Sequence, residues 1–396
     1  MSLEKLNYKK PFWPEKVFVE ESAKDDLITK KVIARLGANV EIIPDKSGDV
    51  ITQNKLLKTD NLSSIEKFNL GKKTLVLKRH LGSWLKACPG TSDHVCCNLW
   101  IVNPGEGCPM DCTYCYLQTY LKRNPALKIY SNISDLREEI KTRAEKEPNR
   151  YFRVGTGEVI DSLVWDDLTD LTHELVPFFA SVPNITLELK SKHNFVDNLV
   201  SLQNEHQGKT VVSWSVNAKQ ICENDEASTS TLLERIEAAE KVVACGYKVG
   251  FHFDPLVYFE GWQEQYLDTI KLIFSRISPK NIAWISISSL RYLEEMQEIM
   301  IARFPSSSLP YGEQILASDN KLRYIQPIRF KMLDFVWKEL KSIDSTLAVY
   351  MCMESSAAWR QVAGGSPVAG SELVEIFSRR GKLRIVENTV NNSDIN

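Results

Sequence analysis

Three cysteines stand within one short segment, GEGCPMDCTYCYLQ, where Cys108, Cys112 and Cys115 follow a C-x-x-x-C-x-x-C spacing. A structural zinc site takes four ligands in a closed tetrahedron, typically from two C-x-x-C pairs. Three thiolates suit an iron–sulfur cubane instead, with one iron left open to a substrate or cofactor. The nine cysteines of the chain are an odd count, and the cytosol keeps thiols reduced, so metal or redox chemistry is favoured over a disulfide framework. A zinc knuckle completed by Cys96 or Cys97 is the alternative for the same loop.

A loop of this kind needs a rigid frame. From residue 98 onward, short β-branched runs alternate with amphipathic helical runs, the pattern of repeated βα units and a parallel sheet. The pattern predicts strands over 98–103, 151–156, 185–190, 210–216, 248–253 and 282–288. Its clearest helix is Leu232–Ala244, LLERIEAAEKVVA, with Gly246 as the stop signal. Six units fall short of the eight of a closed barrel, so the fold class is α/β with a partial (β/α)6 barrel and the site at the strands' C-terminal ends. Residues 1–97 read as an N-terminal α/β extension, 98–300 as the barrel, and 301–396 as a C-terminal extension with a late apolar run at 347–353. The final NTVNNSDIN reads as a disordered, solvated tail.

With 396 residues, 43% hydrophobic and 25% charged, the chain has the composition of a globular protein, which excludes a fibre or a low-complexity tail. Its 49 basic and 51 acidic residues leave a formal charge of -2, so no global field holds nucleic acid or lipid, and any nucleic-acid partner must be gripped by a local patch. No apolar stretch approaches the roughly 20 residues that span a bilayer, and no hydrophobic signal core follows MSLEKLNYKKPFWPEK, so the expectation is a cytoplasmic protein without membrane partners.

The cysteine spacing, with an aromatic residue just before the third cysteine, resembles the radical S-adenosylmethionine (SAM) superfamily. In that superfamily the open iron chelates SAM, and an electron cleaves it to a 5′-deoxyadenosyl radical. The stretches CTYCYLQTY, KSKHNFVDNL, SWSVNA, RIEAAEKVVACGYKVGF and EGWQEQY are similar, in order and spacing, to the spore photoproduct lyase family. The similarity runs from KPFWPEKVFVEE to about residue 330. The resemblance implies a [4Fe–4S] cluster on Cys108, Cys112 and Cys115, with Tyr114 against the adenine of SAM and Tyr116 placed to relay a hydrogen atom. It implies that Gly155, Thr156, Gly157 and Glu158 form the turn that receives the SAM amino group, that Lys192 pairs with the SAM carboxylate, and that Ser215 and Asn217 reach its methionyl and ribose groups. It also implies an electron donor such as flavodoxin or ferredoxin, and DNA as substrate.

The chain departs from the family at one place. The DNA lyases of the family carry a hydrogen-donating cysteine after the second strand, where this chain has Glu158 and no thiol anywhere in 155–163. Cys352, in YMCMESSAAW, is an alternative donor if it faces the barrel mouth. Together with Cys88, Cys96 and Cys97 it also completes a set of four, enough for a second iron–sulfur cluster or a zinc site, while Cys222 and Cys245 read as idle. His252 and Asp254, two apart on one strand face, are expected to point into the barrel and bind substrate. Arg323 and Tyr324, in KLRYIQPIRF with Arg329 and Lys331, resemble a lesion-side hairpin that wedges into DNA. Three functions follow: a radical SAM enzyme of DNA repair, a radical SAM enzyme with an auxiliary cluster and a different substrate, and a zinc-dependent nucleic-acid-binding protein without catalysis.

Overall fold

The computed structural model describes residues 13–365 apart from 38, 47–49, 51–58, 60 and 91–93; the tail at 388–396 lies outside the described residues. Three strands open the chain, β1 (Lys16–Glu20), β2 (Val40–Ile43) and β3 (Thr74–Lys78). Four short ones lead through the cysteine segment, β4 (Lys86–Ala87), β5 (Trp100–Ile101), β6 (Gly105–Glu106) and β7 (Asp111–Cys112), and β8 (Leu127–Tyr130) follows. Next come β9 (Phe152–Gly155), β10 (Ile185–Ser191), β11 (Thr210–Ser215), β12 (Glu226–Ala227), β13 (Lys248–Leu256) and β14 (Ile282–Ser289). β15 (Arg291–Leu293), β16 (Gln314–Leu316), β17 (Lys321–Tyr324) and β18 (Val349–Met351) complete the series.

The central sheet has the order β18-β14-β13-β11-β10-β9-β5-β4. All its neighbours pair in parallel except β4, which runs antiparallel to β5. It is the curled sheet of a partial barrel, one parallel strand longer than the sequence predicts because the 347–353 run joins it as β18. Strands such as Thr-Val-Val-Ser-Trp-Ser of β11 are buried along their whole length, as a parallel strand covered on both faces must be. The helix Leu232–Ala244 forms as predicted: Thr231 and Glu234 make a reciprocal capping box at its start, and Gly246 follows its end at φ 88°.

The boundary expected at residue 97 is not one in space. β6 and β8 leave the barrel segment to join the first sheet, in the order β2-β1-β3-β8-β6, while β4 crosses the other way. The predicted strand at 98–103 shortens to β5, because Pro104 has no N–H with which to extend a ladder. Gly105 then passes so close to β8 that a Cβ would lie 2.3 Å from Lys128 O. A small antiparallel sheet, β15-β17-β16, stands apart in the C-terminal extension. Among the described residues, no helix is long and apolar enough to cross a membrane.

The sheet's two ends are stitched together. Val95 N–H donates to Glu354 O (3.1 Å), His94 bridges to Ser355, and across the interior Arg153 Nη2 donates to Tyr350 Oη (2.9 Å). Beneath this seam lies one carboxylate, Glu188 of β10. Its Oε1 accepts from Ser213 Oγ (2.7 Å), His252 Nε2 (2.8 Å) and Trp284 Nε1 (2.8 Å), and its Oε2 from Arg153 Nε (3.0 Å) and Nη2 (2.6 Å). Burial pushes this carboxyl up, but Arg153 and then His252 outweigh it and hold it well below its ordinary 4.5.

A carboxyl held low stabilises the fold wherever it is ionised. The Glu188 contribution is therefore complete above pH 4.5 and lost as the pH falls below that value. Glu188→Gln removes the carboxylate charge that faces the buried Arg153 guanidinium and is expected to cost about 3–5 kcal/mol in urea unfolding at pH 7. The gap to wild type is expected to narrow on acidification, and a pH-independent gap would refute the assignment.

Candidate active site

The cysteine loop is shaped by its neighbours. Gly107 takes φ 85°, and its N–H donates to Val159 O (2.8 Å), turning the chain out of β6. β7 then pairs antiparallel with β12, setting Cys112 opposite Glu226, and Thr113 N–H donates to Asp225 O (2.9 Å). Asp111 anchors the loop from outside, pairing with Lys72 (2.9 Å) of the N-terminal extension and with both Arg303 contacts (2.9 and 3.0 Å) of the C-terminal one. Burial pushes the Cys112 thiol up to about 12 and the Cys108 thiol well above its ordinary value. These are desolvated sulfurs, which a metal would have to deprotonate on binding.

Lys192 supplies the charge such a site needs. Its Nζ lies 3.7 Å from Cys112 Sγ, 3.0 Å from Tyr114 Oη and 3.3 Å from Glu226 Oε1. The ammonium also lies over the Tyr114 ring, 4.7 Å from its centroid. Arg235 pairs with the other Glu226 oxygen at 2.6 Å, and Tyr114 Oη donates to Glu226. Burial raises the Glu226 carboxyl, but Arg235 and Lys192 pull it down to about 2, so Glu226 stays ionised.

The turn after β9 approaches β10 closely. A Cβ at Gly157 would meet Lys190 O at 3.0 Å and Ser162 Oγ at 3.1 Å. Asp161 holds this turn to the β10 end, with Oδ1 accepting from Ser191 Oγ (2.7 Å) and Oδ2 from Lys192 N–H (2.8 Å). Tyr116, 46% exposed, donates to Glu158 O (2.5 Å), while the Glu158 carboxylate accepts from Asn103 Nδ2 (2.9 Å). The structure thus gathers Cys108, Cys112, Cys115, Tyr114, Tyr116, Glu158 and Lys192 about one loop.

Other expected contacts differ. Asn217 is 1% exposed; its Oδ1 accepts from Ala218 N–H (2.9 Å) and Tyr266 Oη (2.7 Å), and its Nδ2 donates to Pro255 O (2.9 Å). One amide proton is left for a ligand. Ser215 contributes its backbone O to Arg235 (3.0 Å). His252 faces the interior, as its strand face predicts, and both ring nitrogens are engaged, Nε2 with Glu188 and Nδ1 with Ser286 Oγ (2.8 Å), so in this structure it supports the barrel. Asp254 accepts from Ser286 Oγ through Oδ2, and its buried Oδ1 has no hydrogen-bond partner among the described residues.

Arg323 and Tyr324 are 1% and 3% exposed, so neither is an outward wedge. As neighbours on β17 they leave on opposite faces, and each is covered separately: Arg323 pairs with Asp319 (2.6 Å), and Tyr324 Oη accepts from Tyr258 N–H (3.1 Å). The hairpin shows Ile315 and Leu316 to solvent instead. Sequence reasoning missed Asp111, Asp161, Glu226, Arg235 and Arg303. The spacing of Asp111, next to a predicted ligand, was the available signal; Glu226 had none. Among the described residues, no three His, Cys, Asp or Glu side chains are gathered about one metal ion.

The family model for spore photoproduct lyase matches residues 12–351. The chain is 25% identical over 249 residues to the spore photoproduct lyase of Geobacillus sp. (strain Y412MC61), covering 62% of this chain and 70% of that protein. It is 28% identical over 211 residues to the same enzyme of Bacillus subtilis (strain 168), covering 52% and 61%. Among solved structures it is similar to a spore photoproduct lyase double mutant with bound AdoMet and dinucleoside spore photoproduct, with TM-score 0.74, 20% identity and coverage of 86% and 99%. A second, complexed with dinucleoside spore photoproduct, has TM-score 0.74 and 21% identity over the same shares.

The Asp111 junction gives a direct test. Arg303→Ala removes two charged contacts worth about 1–3 kcal/mol together. Amide exchange is expected to accelerate at 108–118 and to stay unchanged in β10 and β11. Unaltered exchange in the loop would show that Arg303 does not hold it.

Proposed function

The chain belongs to the spore photoproduct lyase family of radical SAM enzymes, and from that membership we propose that Cys108, Cys112 and Cys115 hold a [4Fe–4S] cluster whose open iron binds SAM, and that the substrate is damaged DNA. The observation that carries this reading is the donor set: three thiols on one pinned loop, Cys108 and Cys112 desolvated, with the Lys192 ammonium 3.7 Å from Cys112 Sγ. Three sulfurs and a nearby cation suit an anionic cluster with one open iron. When bound, the cluster supplies the electron that cleaves SAM and so provides hydrogen-abstracting chemistry at the barrel mouth.

The chain's own residues bind, orient and shield. Lys192, drawn toward Glu226 and Tyr114, presents a charged donor to the SAM carboxylate. Tyr114 offers its ring to the adenine, Glu158 and the close-packed Gly157 turn receive the amino group, and Ser215 and the remaining Asn217 proton face the rest. Tyr116, an exposed phenol beside Cys115, is placed to relay a hydrogen atom. The barrel keeps water away from these groups. A flavodoxin- or ferredoxin-like protein supplies the electron.

Damaged DNA is the substrate class of the relatives whose structures carry dinucleoside spore photoproduct. With Arg323 and Tyr324 buried, the apolar pair Ile315 and Leu316 is the part of the hairpin that can wedge between bases. The absence of a thiol from 155–163 favours a second reading, the same radical chemistry on a different substrate. In that reading Cys352, which directly follows β18 of the barrel sheet, is the thiol that replaces the donor.

Anaerobically reconstituted, reduced protein is expected to form 5′-deoxyadenosine from SAM, and Cys112→Ala to abolish it; cleavage retained by the variant would overturn the cluster assignment. Lys192→Ala removes a charged hydrogen bond worth about 1.5–3 kcal/mol and is expected to weaken SAM binding roughly 10- to 100-fold. Iron content should not change, and unweakened binding would remove Lys192 from the SAM site.

A further inference from the structure

Four thiols outside the cysteine loop meet where the curled sheet closes. Cys88 follows β4, Cys96 and Cys97 precede β5, and Cys352 follows β18. Backbone bonds fix all three segments: Cys88 N–H to Leu99 O (2.9 Å), Val95 N–H to Glu354 O (3.1 Å) and Cys352 N–H to Ile287 O (3.0 Å). Cys88 thus lies against Leu99, two residues past Cys97, and the His94–Val95 pair lies against Glu354 and Ser355, just past Cys352, so these bonds bring all four cysteines to one seam. None of the four is in a disulfide.

The backbone around these sulfurs is arranged for thiolates. Cys96 Sγ accepts from Asn98 N–H, two residues ahead (3.3 Å). An N–H pointed at sulfur stabilises negative charge there, and hydrogen bonds of this kind tune iron–sulfur clusters. Cations surround the set as well: Arg153 faces Cys88 and Cys97, and Arg291 and Lys190 face Cys352.

The sequence bears on the kind of metal. Cys96 and Cys97 are neighbours in the chain, and two adjacent residues do not readily present both sulfurs to one tetrahedral zinc. The separate irons of a polynuclear cluster can accept one each. We propose that Cys88, Cys96, Cys97 and Cys352 hold a second iron–sulfur cluster at the barrel seam. A thiolate bound to iron has no hydrogen to give, so this assignment takes Cys352 out of hydrogen donation.

The test uses the full chain with Cys108→Ala, Cys112→Ala and Cys115→Ala combined, reconstituted anaerobically with iron and sulfide. The expected result is about two to four irons per chain with as many sulfides, and a Mössbauer spectrum of a [2Fe–2S] or [4Fe–4S] cluster. A variant without iron, or one carrying zinc alone, would overturn the proposal. In otherwise wild-type protein, Cys88→Ala with Cys97→Ala should lower iron by the same amount, and unchanged iron would overturn it even if the triple variant misfolds. Because the triple variant lacks the first cluster, its result is independent of whether that cluster cleaves SAM.

Discussion

A carboxylate buried in a protein must be supplied with hydrogen bonds or it will not stay charged, and Glu188 receives five, from Arg153, Ser213, His252 and Trp284 on four different strands. This requirement sets the register of the barrel. Side chains of a strand alternate faces, so once Glu188 is fixed inward, Lys190 shares its face, as Ser215 shares that of Ser213, Asp254 that of His252, and Ser286 that of Trp284. The floor is thereby satisfied internally, and the next row toward the C-terminal ends is left to the mouth. His252 belongs to the first row and Asp254 to the second. That is why one is committed to the fold and the other retains an unpartnered oxygen.

The cysteine loop is a short irregular segment with little core of its own, and charge pairs on its two sides replace what packing would supply. Outside, Asp111 joins Lys72 and Arg303 from the two extensions; inside, Glu226 joins Lys192 and Arg235 from the barrel. Each carboxylate faces two cations in a partly dry setting, where an ion pair is effective only if both members are held in place. The loop therefore joins all three regions of the chain, and the extensions are structural parts of the site.

Much of the barrel was legible. β10, β11, β13 and β14 are continuous apolar or alternating runs between turn signals, and their observed bounds differ from the predicted ones by one to three residues. The short strands β5, β6, β7 and β12 carry no readable period, and they are the ones that position the loop. The cluster cysteines were legible because their chemistry depends on local spacing. Glu226, inside NDEAS, looks like a solvated acidic turn until Arg235 and Lys192 are folded against it. Arg323 and Tyr324 look like an exposed basic patch because Asp319 and Tyr258, which cover them, are recognisable as partners only in three dimensions.

The seam has a consequence for how the molecule is made. His94 and Ser355, which meet there, are separated by roughly 260 residues, so the mouth can close only after most of the chain has been synthesised. At about 5–20 residues per second, that interval is on the order of tens of seconds. For most of it Cys108, Cys112 and Cys115 are already part of the chain while the sheet's two ends are still apart. The cysteine loop is therefore made well before the seam that closes the sheet.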